Sequence, residues 1–236
     1  MTGRVLIIKN VSHEGPGRFG ELLNEWNINY DTCDLSRHES LPEPNSYELI
    51  LILGGPDSAN DISRKILMEL VFVKRAFKGG IPILGICLGM QLMVKAAGGN
   101  VIKSPIEEIG FKHEDSWQEV HLTPAGSEDP IFLGIKEKFK VFQMHGETVQ
   151  IPNETKLLGT GRWCKNQIIK FDPFYYGMQF HLELTEDLLK NWLNNSPELK
   201  NANNNQLQLQ FEEIGEEYAQ NARVFLENYL DLLEIR

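Results

Sequence analysis

The sequence predicts an α/β protein: a doubly wound, mostly parallel sheet with helices on both faces, followed by a C-terminal helical extension. Three observations carry this. Apolar runs at 4–9, 47–53 and 81–86 show no polar alternation, the pattern of strands buried on both faces. Stretches with helical spacing separate them. Glycine loops at 54–56 and 85–89 sit at the ends of two runs, where doubly wound sheets carry their ligand sites.

The elements follow in order. "RVLIIK" (4–9) is a first strand, and "HEGPGRFG" turns into a helix with Phe19, Leu22, Leu23 and Trp26 on one face. "INYDTCDL" (28–35) reads as a second strand and "YELILIL" (47–53) as a third, running into "GGPDSAND". "ISRKILMELVFVKRAFK" (62–78) is a helix stopped by Gly79 and Gly80. "IPILGI" (81–86) is a fourth strand, and a helix runs from Cys87 to Gly98 and Gly99. "WQEVHLT", "KVFQMH", "NQIIKF" and "YYGMQFHL" are shorter strands, which implies antiparallel pairing in the second half. This alternation is that of a flavodoxin-like fold. Residues 1–193 are expected to form the domain. In 194–236, "NNSPELKNANNNQLQLQ" reads as a polar linker or weak helix. The rest is a terminal helix with Ile214, Tyr218, Phe225, Tyr229 and Leu232 on one face, docked on the domain or on a partner.

Composition narrows the function. The 236 residues are 42% hydrophobic and 24% charged, and the formal net charge is −10. An acidic chain lacks the basic face that nucleic acid or an anionic membrane surface requires. No apolar run has the length of a membrane span, and the start reads as a strand rather than a signal peptide. Cys33, Cys87 and Cys164 are widely spaced and form no C-x-x-C metal pattern. Free thiols in a reducing, cytoplasmic setting are expected.

The chemistry centres on "ILGICLGMQL" (83–92), where Gly85 and Gly89 frame Cys87. A packing cysteine needs no flanking glycine. A cysteine presented on a sharp strand-to-helix turn does, because glycine relieves the crowding there. The helix N-terminus favours the thiolate, the nucleophilic form, and the N–H of Leu88 can meet an oxyanion. Gln91 shares the helix face of Cys87 and can meet a substrate held above the thiol; alternatively it is an exposed helix residue. Of six histidines, His181 stands out in "GMQFHLEL". On an extended segment His181 and Glu183 point to one side, so the carboxylate can orient the imidazole as the third member of a triad. The alternative is a simple surface pair. "LILGGPDS" offers backbone N–H groups to a phosphate or to an oxyanion, or it is simply a turn; it is not a Walker loop.

Taken in order, "LGGP", "GICLGMQ" and "MQFHLE" resemble the class I glutamine amidotransferases, the Cys-His-Glu glutaminases, over residues 4–190. "EEIG" (107–110) and "FQMHGETVQIP" (142–152) are similar to the GMP-synthase-like subgroup. The resemblance implies that Cys87 forms a γ-glutamyl thioester from L-glutamine, His181 relays the proton and Glu183 orients it. It implies an oxyanion hole from the N–H groups of Gly55 and Leu88. It assigns the substrate's glutamate part to Gln91 and the backbone around Met144, His145, Gly146 and Glu147. It requires no cofactor and no metal. One departure is Leu182, where family members often carry proline.

Such a domain normally passes ammonia to a synthase, and the S-G-G-x-D-S loop of an ATP pyrophosphatase is absent from the chain. A separate ammonia-acceptor enzyme is therefore one expected partner. Another γ-glutamyl compound is an alternative substrate. A DJ-1/PfpI-type cysteine protein is a weaker rival, since there a histidine typically follows the cysteine and here Leu88 does. A pure interaction protein, using its acidic surface and terminal helix, is the last.

Overall fold

The computed structural model describes residues 4–236. The buried apolar runs form β1 (Val5–Lys9), β3 (Leu49–Ile52) and β4 (Ile83–Ile86), with β2 (Tyr30–Asp34) on the edge. Between them lie α1 (Gly17–Glu25) and α2 (Arg64–Gly79), and after β4 comes α3 (Leu88–Ala96). The second half holds β5 (Asn100–Gly110), β6 (Lys112–His113), β7 (Ser116–Trp117), β8 (Glu119–Leu122) and the single turn α4 (Pro124–Ser127). It continues with β9 (Lys138–Lys140), β10 (Gln143–Gln150), β11 (Lys156–Gly161), β12 (Ile168–Phe171) and β13 (Tyr175–Met178). Two helices close the chain, α5 (Glu186–Asn195) and α6 (Asn204–Leu232).

The main sheet has the order β2-β1-β3-β4-β13-β12-β11-β8-β9. From β2 to β13 the neighbours are parallel; from β13 to β9 they are antiparallel. The antiparallel half expected from the short strands is present, and the α/β doubly wound class holds. Strand alternation sorts the apolar runs between two cores. Val5, Ile7, Leu49, Leu51, Leu84 and Ile86 face the core that α1, α5 and α6 cover. Leu6, Ile8, Ile50, Ile52 and Ile83 face the core that α2 and α3 cover. Helix ends follow local chemistry. Ser63 caps α2 by accepting from the Ile66 N–H, and Gly80 ends it at φ 71°, where glycine carries no Cβ penalty.

Three elements differ from expectation. β5 pairs antiparallel with β10 as a separate small sheet, although no strand is legible in "NVIKSPIEEIG". Its charged residues and Pro105 give no period-2 pattern, and its order comes from pairing with β10. β11, "KLLGTG", carries two glycines and gains its order from β8 and β12 on either side. Third, α6 begins at Asn204, earlier than the expected terminal helix, so of the linker and weak-helix readings of the polar stretch the helix one holds for 204–210. Asn203 caps it by accepting from the Gln206 N–H at 3.1 Å, and Leu207 and Phe211 are already buried. Ile214, Tyr218, Phe225 and Tyr229 are buried as the spacing predicts, while Leu232 is only partly buried.

The packing makes two expectations testable. Phe225 is fully buried against Phe19, Phe132 and Tyr229. Phe225→Ala is expected to destabilise the whole domain by about 3–5 kcal/mol, read as a lower urea midpoint in one cooperative transition. Glu69 on α2 is 1% exposed, and burial raises its carboxyl from 4.5 to about 7, against the opposing pull of Lys65. A folded pKa above the unfolded one means stability present below pH 4.5 and lost as pH rises through 7. Glu69→Gln is therefore expected to gain on the order of 2–3 kcal/mol relative to wild type at pH 8 and little at pH 5. Thermal melts at the two pH values check this, and equal effects at both would refute it.

Candidate active site

The site lies beyond the carboxyl ends of the parallel strands. The loop after β1 brings Glu14, that after β3 brings Gly54 and Gly55, and the end of β4 brings Cys87. The segment after β13 brings Gln179, His181 and Glu183. Parallel register makes this convergence unavoidable. Met178 pairs with Ile86, and the N–H of Cys87 donates to the Met178 carbonyl at 2.8 Å. The residues that follow the two strands are thus neighbours in space.

Cys87 is the N-cap of α3 at φ 51°, ψ −106°, a backbone conformation that is costly for any residue with a Cβ. The flanking glycines take no part of that strain, since neither has a positive φ. They allow close approach instead. A Cβ on Gly85 would lie 2.6 Å from the Gly89 carbonyl carbon, and a Cβ on Gly89 would lie 2.2 Å from the Ile52 carbonyl oxygen. The helix start is therefore pressed against β3 and against the end of its own strand, and the bend falls on the cysteine.

Around the thiol, Sγ–H donates to the Met144 carbonyl at 3.8 Å and Sγ accepts from Gln179 Nε2 at 3.5 Å. His181 and Glu183 are each 1% exposed. The His181 Nδ1–H donates to Glu183 Oε1 at 2.8 Å. The carboxylate can only accept, so Nδ1 carries the proton and Nε2 is left for the thiol. Burial alone would lower the His181 pKa, but the Glu183 charge and the Cys87 contact win and raise it well above 6.5. Trp192 packs edge-on to the ring at 4.8 Å, and Tyr218 Oη of α6 donates to the His181 carbonyl.

The pairing does not arise as the sequence suggests. β13 ends at Met178, so His181 and Glu183 stand in the turn beyond it and not on an extended strand. There the His181 N–H leaves the sheet and donates to the Phe142 carbonyl at 3.0 Å. The surface-pair alternative fails on burial.

Gln91 is 3% exposed, not an exposed helix residue, and its Nε2 lies 3.4 Å from both the Glu147 carbonyl and Gln179 Oε1. Leu88 opens α3, where N–H groups lack intrahelical acceptors. A Cβ on Gly55 would meet Asn10 and the Leu88 side chain, so Gly55 sits beside that first turn. Met144 borders the thiol through its carbonyl. Gly146 sits where the β10–β5 register shifts, between His145 and Glu147. Glu147 Oε1 accepts from Ser58 Oγ at 3.0 Å, which ties the glycine loop to β10. His145 turns away from the thiol. Its Nδ1–H donates to the Glu147 carbonyl at 3.0 Å and its Nε2 lies 3.3 Å from Glu108 Oε2. With Cys164 these are the one group of potential metal-ligand atoms within 4.8 Å of one another among the described residues.

The sequence reading missed three members. Gln179, fully buried, touches both Cys87 and Gln91; it stands in "GMQFHLE", two residues before His181. Gly54, next to Gly55 in the same loop, borders the reacting groups, since a Cβ there would lie 2.8 Å from His181 Cε1 and 3.6 Å from Cys87 Cβ. Glu14, 4% exposed, lies at the same point; its only sequence signal is an acid in the glycine-rich turn after β1.

Known proteins resemble this arrangement. The family Glutamine amidotransferase class-I matches residues 22–196. A glutamine amidotransferase of Thermotoga maritima superposes with a TM-score of 0.87 at 28% identity, over 98% of this chain and 99% of the other. The glutamine amidotransferase-like protein YfeJ of Salmonella typhimurium is 25% identical over 82% of this chain and 81% of its own length. A glutamine-hydrolysing GMP synthase subunit of Pyrococcus abyssi is 33% identical over 61% of this chain and 72% of its own. The GMP synthase of Borrelia garinii is 34% identical over 61% of this chain, and the match spans only 26% of that longer protein. The family match covers most of the sequence and the structural likeness nearly all of the fold, and so the chain belongs to the class-I glutamine amidotransferases.

Proposed function

We propose that the chain hydrolyses the side-chain amide of L-glutamine through a thioester on Cys87, giving glutamate and ammonia. The observation that carries this is the strained Cys87 N-cap beside a buried His181 whose Nδ1 is held by Glu183 at 2.8 Å. The Cys87 thiolate attacks the amide carbon and the carbonyl oxygen becomes an oxyanion, received by the N–H groups of Leu88 and Gly55. The C–N bond breaks as His181 gives its proton to the departing nitrogen. Water then attacks the thioester, His181 takes its proton, and the thiolate leaves. The raised pKa of His181 supports the first half, because it keeps the imidazolium present to protonate ammonia. Gln91 and the backbone of Met144, His145, Gly146 and Glu147 hold the glutamate part. None of these steps needs a cofactor.

The name of the Pyrococcus relative, one subunit of a GMP synthase, supports a separate enzyme as the acceptor of the ammonia. Glutamine is the first substrate to test and γ-glutamyl dipeptides the second. Among the described residues no helix is long and apolar enough to cross a membrane.

The test is glutamate release from L-glutamine by the purified chain. Cys87→Ala is expected to abolish it and His181→Ala to lower kcat by roughly three or more orders of magnitude. Glu183→Gln keeps the shape but not the charge, and is expected to cost roughly 10²–10⁴ in kcat. Release by Cys87→Ala at the wild-type rate would falsify the thioester. Cys87-dependent cleavage of a γ-glutamyl dipeptide in place of glutamine keeps the nucleophile and changes the substrate class.

A further inference from the structure

Glu14 has no part in the mechanism above, yet its surroundings are those of a working group. It follows β1 in the turn that leads to α1, and its side chain is 4% exposed. Its Oε2 has no hydrogen-bond partner among the described residues. Unpartnered buried carboxylate oxygens are costly and call for a reason. The missing side chain of Gly54 marks where it points. A Cβ there would lie 3.2 Å from Glu14 Oε2, 2.8 Å from His181 Cε1 and 3.6 Å from Cys87 Cβ. A carboxyl group, the imidazole and the nucleophile thus meet at one glycine.

The charges around it come from every side. His181 and Lys65 favour its anion; Glu183 and Glu198 oppose it. His13, its neighbour in the chain, is turned toward Ser196 Oγ at 3.3 Å. Burial is the largest influence and raises Glu14 from 4.5 to about 7, so the group changes charge near neutral pH. Glu183 holds the Nδ1 edge of His181, and it is the Cε1 edge that lies at the same glycine as Glu14 Oε2.

We propose that Glu14 is a second carboxylate acting on His181, a positioning residue whose negative charge stabilises the imidazolium from its Cε1 edge. No bond is made or broken at Glu14. Ionised, it strengthens the hold of His181 on its proton; protonated, it does not. The site thereby retains its imidazolium to higher pH than Glu183 alone would secure. The rate consequence rests on the glutaminase reading above, whereas the effect on His181 does not.

The experiment uses both. Histidine labelled with ¹³C at Cε1 is incorporated into the full-length chain carrying Cys87→Ala, and the His181 signal is assigned by its loss in His181→Asn. The Cε1–H titration is followed with and without Glu14→Gln. The neutral isostere is expected to move the His181 titration to lower pH by about one unit, a tenfold loss of proton affinity. With Cys87 intact, the alkaline limb of kcat/KM for glutamine is expected to move the same way, so that little rate is lost at pH 6 and the loss grows toward a limit of about tenfold on the alkaline side. A His181 titration unmoved in folded Glu14→Gln overturns the proposal, as does a loss of rate equal at all pH values, which marks a structural role. Should Glu14→Gln not fold, Glu14→Asp keeps the charge and withdraws it by one methylene. A smaller shift of the same sign then supports the proposal and an unmoved titration overturns it. If no glutamine is hydrolysed, the NMR titration still decides the question.

Discussion

The contact on which the site depends is the one between Gly89 and the Ile52 carbonyl. With no room for even a methyl group there, α3 must start hard against β3. The chain leaving β4 then has no relaxed path into the helix, and the bend is taken up by Cys87 at φ 51°. Strain of this kind persists only where packing over-determines it. Here the determinants are two glycines, the β3–β4 register and the hydrogen bond from the Cys87 N–H to Met178. The cysteine is thus aimed by backbone packing, and its side chain contributes little to its own placement.

The histidine is held differently. His181 stands past the end of β13, in a turn without ladder hydrogen bonds of its own. Its backbone is secured from outside: its N–H donates to the Phe142 carbonyl, and Tyr218 of α6 donates to its carbonyl. The Tyr218 oxygen also accepts from the Phe142 N–H at 3.3 Å. One residue of the terminal helix therefore ties together the two segments that flank the imidazole. The helix is part of the core by area and part of the site through this single hydroxyl.

Electrostatics follow from burial. Cys87, His181, Glu183, Gln91, Gln179 and Glu14 are all buried, so their interactions act in a low-dielectric setting where each charge is felt strongly. A neutral histidine would be the default there, yet the adjacent carboxylate reverses the balance and keeps it protonated. The two glutamines, Gln91 and Gln179, supply amide dipoles beside the thiol without adding charge, and they bridge α3, β10 and the β13 turn.

Much of this was legible in the chain of letters. Strands buried on both faces announce themselves as unbroken apolar runs, and glycines around a cysteine announce a tight approach, because both are local consequences of excluded volume. Hence β1, β3, β4, α2, α3 and the Cys87 elbow could be read directly, whereas the parallel pairing of β13 with β4 could not. β5 and β11 could not, since their alternation is weak and their order comes from partners distant in sequence. Polar residues 204–210 read equally as linker or weak helix, because the apolar contacts that decide between them lie on other elements. Glu14, Gly54 and Gln179 were hidden for the same reason. An acid in a turn, the first glycine of a pair and a glutamine beside a strand end carry no signal until parallel pairing of β1, β3, β4 and β13 brings four strand ends to one point. Residue chemistry is written locally, whereas which groups meet is set by register across the sheet, and register is a property of the folded chain.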